Sequence, residues 1–158
     1  LFSSSFTMVS NRHHTLPHVL NLFHVIFGFV GLAASTVYWE GHEDYGVHLA
    51  VVFIKYPWQN LIDAILLVCL VVNTIILLAT ILGRPIILRW TKSKVLLIHL
   101  LLLIANLAAA GVETWIAIAS QGNKDHFLLR FIITTVFLWL LTVFYAIFIA
   151  FYMAKVEY

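Results

Sequence analysis

The sequence predicts an all-α integral membrane protein, a four-helix bundle with both termini on the same side, cytoplasmic or equivalent. Three observations carry this. Apolar stretches at residues 16–39, 60–82, 95–119 and 131–154 are each long enough to cross a bilayer as a helix. The 158 residues are 63% hydrophobic and 10% charged, too apolar to give a soluble domain of this size a polar surface. The connections, about 10 to 20 residues each, leave no room for a soluble domain. Function therefore has to reside in the bundle, in the first connection, or in contacts with lipids and other membrane proteins.

The first span is expected to begin near Pro17, because proline suits the first turn of a helix. Along it His14, His18, Asn21, Gly28, Gly31 and Ser35 recur at three, four or seven residues and form one polar, small face suited to close helix packing. Residues 1–15 carry Arg12, His13 and His14 with no acid. They read as a polar tail or as the remnant of an organellar transit segment, with Met8 as an alternative natural start. Residues 16–158 form a single domain.

The first connection is acidic at residues 40–45 and apolar again at 47–56, a stretch too short to span and expected to lie in the interface or to cover the bundle. Pro57 marks the start of the second span, and Gly83 with Pro85 stops it. The second connection holds Arg84, Arg89, Lys92 and Lys94 without an acid. Six of the nine Lys and Arg residues (these four, Arg12 and Lys155) fall on the side of the termini, which places that side inside. Tyr38, Trp39, Tyr56, Trp58 and Trp115 mark the outer boundary, and Trp90 and Tyr152 the inner one. Trp139, well inside the fourth span, is expected to pack on a neighbouring helix.

Polar residues in hydrocarbon are costly and face the protein interior. His99, Asn106 and Glu113 are spaced by heptads and share a stripe with Ala110 that must face other helices. By helical rise, Asn73 and Asn106 fall near the midplane and are expected to hydrogen-bond each other. Asp63 and Glu113 fall in the outer half, where Arg130 can bend inward to neutralise them. Together, Asp63, Asn73, Asn106, Glu113 and Arg130 are the expected intramembrane polar cluster. Its plain reading is structural, and its sharper reading is a proton or cation path through Glu113.

His24 and His99 lie on different spans in the inner half. As a pair they are candidate b-type haem ligands, against the plain reading that each hydrogen-bonds a neighbouring helix. Glu40, His42, Glu43, Asp44 and His48 include possible metal ligands but match no recognised spacing, so no metal is expected. Arg84, Arg89, Lys92 and Lys94 read as a site for anionic lipid head groups. The single Cys69 rules out an intramolecular disulfide and reads as a small packing residue. HExxH, GxSxG, P-loop and paired-aspartate motifs are absent from the sequence, so no catalytic residue is assigned and enzyme activity is not expected. Nor is a cofactor or a nucleic-acid partner.

The layout resembles the MARVEL-type four-span family: similar length, termini inside, short loops, and a first helix whose apolar entry is followed by Gly and small residues between Leu20 and Ser35. The chain departs from that pattern in lacking loop cysteines and in the apolar residues 47–56. The resemblance implies a role in membrane organisation, vesicle traffic or cell contact, at a plasma or vesicle membrane, and carries over no catalytic residue. The rival expectation is an accessory or anchor subunit of a respiratory-type complex in an organellar inner membrane, with one b-type haem in its active version. In either case the partners are membrane lipids and other membrane subunits or further copies of the chain.

Overall fold

The computed structural model describes residues 4–40, 46–49, 57–84, 89–119 and 128–154. Helix α1 (Ser4–Thr36) leads into a two-stranded antiparallel hairpin, β1 (Val37–Glu40) and β2 (Gly46–Leu49). Helices α2 (Pro57–Ile81), α3 (Lys92–Ala119) and α4 (Leu128–Ala154) follow. All four helices contain a segment long and apolar enough to cross a membrane, in α1 the part from Pro17 to Thr36. Helices suit such segments because a backbone in hydrocarbon must satisfy its own hydrogen bonds internally. The chain is thus a multi-pass membrane four-helix bundle, and four crossings bring both termini to one side. The hairpin lies at one end, and the basic connection between α2 and α3 at the other.

Helix α1 packs against α2 and α4, and α3 packs against α4, whereas α2 and α3 touch least of the four neighbouring pairs. Going round the bundle the order is α2, α1, α4, α3, and the seam between α3 and α2 is the most open. Ile62, Leu66, Leu102, Ala110, Phe131, Leu138 and Leu141 fill the centre. Large apolar side chains such as Leu67, Val71, Leu101, Ile104 and Val136 point outward, as lipid contact requires. Threonines donate their hydroxyls to the preceding turn, as in buried Thr142 to the Leu138 carbonyl at 2.9 Å and half-buried Thr114 to the Ala110 carbonyl at 2.6 Å.

Both ends of α1 differ from expectation. The helix runs from Ser4, so Pro17 lies inside it rather than in its first turn. It also stops three residues early, at Thr36. Val37, Tyr38 and Trp39 are β-branched or aromatic and pair as a strand, with Val37 opposite Leu49 and Tyr38 opposite His48. The remainder of the apolar segment, residues 50–56, lies outside the described residues, as do Pro85, Lys55 and Lys124.

The end of α2 follows the sequence signal closely. Gly83 takes a left-handed φ of 69°. Its N–H donates to the Thr80 carbonyl at 3.1 Å, and that of Arg84 to Ala79 at 2.8 Å, the paired bonds that close a helix through a left-handed residue.

On α1 the small face works as a packing surface. Gly28 lies beneath Leu70, and a Cβ on Gly31 would stand 3.4 Å from the Phe137 Cβ and 3.6 Å from Leu66. A single methyl fits there, but a branched side chain does not. Gly31→Leu is expected to push α1 off α2 and α4 and to cost about 1 to 3 kcal/mol by overpacking. Thermal unfolding in detergent, with Gly31→Ala as the control that stays near wild type, checks this.

Candidate functional site

The polar side chains of the interior form three layers along the bundle axis. At the hairpin end are Ser35 of α1, Gln59 and Asp63 of α2, Glu113 of α3, and Arg130 and Thr134 of α4. All are buried except Asp63, which is half-buried. The Gln59 amide donates to Asp63 Oδ1 at 3.3 Å, and the same side chain lies beside Glu113. Asp63 also faces Ser35, and Arg130 is within electrostatic reach of both carboxylates. The expected trio of Asp63, Glu113 and Arg130 is therefore assembled. Gln59, which has no sequence signal of its own, joins it, as does Ser35 from the small face of α1.

The second layer is at mid-depth. Asn73 Nδ2 donates to the Cys69 carbonyl at 2.7 Å and to the Tyr145 hydroxyl. Asn106 Nδ2 donates to Cys69 Sγ at 2.9 Å and to the Leu102 carbonyl at 2.8 Å. From α1, Asn21 Nδ2 donates to the backbone carbonyl of Asn73 at 3.0 Å. The two asparagines do share one level, but their amide groups donate to Cys69, Tyr145 and Leu102 and not to one another. Equal depth on two helices does not make two side chains point at each other, and Asn73 takes the Tyr145 hydroxyl as its acceptor. Cys69 is correspondingly more than filler, since its sulfur accepts a hydrogen bond from Asn106.

Towards the basic end, His24 and His99 form the third layer. His24 stacks on the Tyr145 ring with centroids 4.0 Å apart, and His99 stacks on Phe148 at 4.0 Å. His99 also meets Tyr145 at 6.2 Å, and His24 meets Phe148 at 6.4 Å. The imidazole Nδ1 of His99 lies 2.8 Å from the Val95 carbonyl. Each of the two α4 rings thus neighbours both histidines. A porphyrin could be held between the imidazoles only by expelling Tyr145 and Phe148, so this packing does not fit haem ligation.

Arg84 and Arg89 are exposed beside the ends of α2 and α3, Lys94 is exposed in the first turn of α3, and Lys92 is half-buried. Trp139 is 43% exposed, and its indole N–H donates to Thr114 Oγ1 at 3.2 Å, tying α4 to α3 on the lipid side. Glu40 ends β1 and His48 lies in β2, while His42, Glu43 and Asp44 lie outside the described residues. Among the described residues no group of three or more His, Cys, Asp or Glu side chains could hold a metal ion.

Between α2 and α3 an apolar cavity of about 200 Å³ opens towards the lipid, lined by Ala64, Ile65, Val68, Cys69, Leu102 and Ala105. Comparison of the chain with protein-family models, with curated proteins and with solved structures finds no match.

Proposed function

We propose that this chain is a non-enzymatic membrane protein that acts through lateral helix association, in membrane organisation or as a structural component. The open seam between α2 and α3 carries this reading. Three of its six lining residues, Ala64, Cys69 and Ala105, have small side chains that let the backbone of another helix approach closely. A lipid tail gains similar dispersion from any apolar wall, so small residues in this lining favour a helix, from a second copy or from another membrane subunit. Exposed Arg84, Arg89 and Lys94 at the basic end support a complementary hold on anionic head groups, which fixes the bundle's depth and leaves the seam facing sideways.

Filling the groove tests the reading. Ala64→Phe combined with Ala105→Phe is expected to abolish the higher-order band on a native gel of gently solubilised membrane while helical content is retained. An unchanged band, or a wild-type chain that runs only as a monomer, would count against it. Subunit identification on the band separates the plasma- or vesicle-membrane role from membership of a respiratory-type complex.

A further inference from the structure

The basic end carries four cations, Arg84, Arg89, Lys92 and Lys94, with no acid anywhere in residues 83–94. Two exposed hydroxyls, those of Thr91 and Ser93, stand among them. The two are not equivalent. Thr91 lies just before α3, outside the helix, and its carbonyl accepts from the N–H groups of Lys94 at 3.0 Å and Val95 at 3.2 Å. It is the cap from which α3 starts. Ser93 is already the second helical residue, two before the wholly buried Val95, so fitting it into an enzyme's cleft would unwind the turn that enters the membrane. Thr91 is approached from the non-helical side, with Arg89 two residues before it and Lys92 and Lys94 one and three after. The positive-inside asymmetry puts this end on the cytoplasmic or equivalent side, where ATP-dependent enzymes work.

We propose that Thr91 is a phosphorylation site, modified by a serine/threonine kinase that selects basic flanks, and that its phosphate releases the chain's hold on anionic head groups. The threonine Oγ1 forms a bond to the γ-phosphorus of ATP while the bond from that phosphorus to the bridging oxygen breaks. ADP leaves, and the hydroxyl proton passes to the kinase's catalytic base. Phosphothreonine carries about −1.5 to −2 charges at pH 7 and three strong acceptor oxygens, enough to neutralise up to about half of the four cations. The first turn of α3 contains no acid, and a helix N-terminus favours negative charge, so the modification leaves the bundle folded. What it removes is the surplus of positive charge. Cations engaged by the chain's own phosphate no longer attract lipid phosphates. The proposal rests on the head-group reading of these cations and is independent of the α2–α3 seam.

The test uses the purified full chain, treated in detergent with ATP and a kinase selective for basic flanks, then reconstituted with equal amounts of phosphatidylserine and phosphatidylcholine. Peptide mass analysis is expected to find phosphate on Thr91, retained in Ser93→Ala and absent from Thr91→Ala. The lipids that co-purify after mild re-extraction should be rich in phosphatidylserine for the unmodified chain. Phosphorylation should cut that relative affinity roughly 30-fold, at about five-fold per charge, and Thr91→Asp, with its single charge, about five-fold. Phosphate on Ser93 alone or on neither residue would overturn the proposal, as would an unchanged lipid ratio once Thr91 is phosphorylated. An unmodified chain with no preference for phosphatidylserine would instead overturn the head-group reading, and this proposal with it.

Discussion

Arg130→Leu is expected to destabilise the bundle by roughly 3 to 5 kcal/mol, the range for removing one partner from a buried charge cluster. The substitution leaves Asp63 and Glu113 facing each other with no guanidinium in reach, in a layer where Glu113 is wholly buried. Most of the cost is the uncompensated charge and not the lost attraction, so it depends on what remains behind. Glu113→Leu in the same chain should restore a large part of the stability, because a single carboxylate beside Ser35 and Gln59 is far cheaper than two. Thermal unfolding of the two single variants and the double variant forms the cycle that isolates this coupling. If Arg130→Leu unfolded at the wild-type temperature, or if the double variant were the sum of the singles, the three charges would not be energetically linked.

What could be read in advance, and what could not, follows from the kind of information a helical sequence holds. The stripe of His99, Asn106, Ala110 and Glu113 was legible because a polar residue in hydrocarbon has to face inward and heptad spacing keeps one face; all four are buried. The stop at Gly83 was legible because the left-handed residue at a helix end has a chemical signature. Depth was legible too, since it requires only counting along a helix. Direction around the axis was not, which is why Asn73 and Asn106 share a level but bond to Cys69 and Tyr145. Gln59 escaped notice because it stands just before the apolar run of residues 60–82, where a polar side chain reads as interfacial. Tyr145 lies between aromatic neighbours such as Phe144 and Phe148 and looks like one more apolar residue, although its hydroxyl joins two helices. The hairpin was hidden for a similar reason, because Val37, Tyr38 and Trp39 extend the hydrophobicity of α1 without a break in composition.

Tyr145→Ala is expected to lose roughly 3 to 5 kcal/mol, and Tyr145→Phe only about 1 kcal/mol. Tyr145 is fully buried, and its ring lies against His24 and His99 while its hydroxyl accepts from Asn73. Between lipid-embedded helices no hydrophobic effect drives packing, so the ring contributes through dispersion and through the cavity its loss would leave. Truncation to alanine frees the face of His24, an imidazole with neither ring nitrogen hydrogen-bonded, and opens the layer where α1, α3 and α4 meet. The phenylalanine variant keeps all of this and removes one acceptor, while Asn73 retains its bond to the Cys69 carbonyl. Unfolding temperatures in detergent should therefore fall in the order wild type, Tyr145→Phe, Tyr145→Ala, with the larger step second. A phenylalanine variant as unstable as the alanine one would place the energetic weight on the hydroxyl, and the mid-membrane layer would then be held by its hydrogen-bond network and not by aromatic packing.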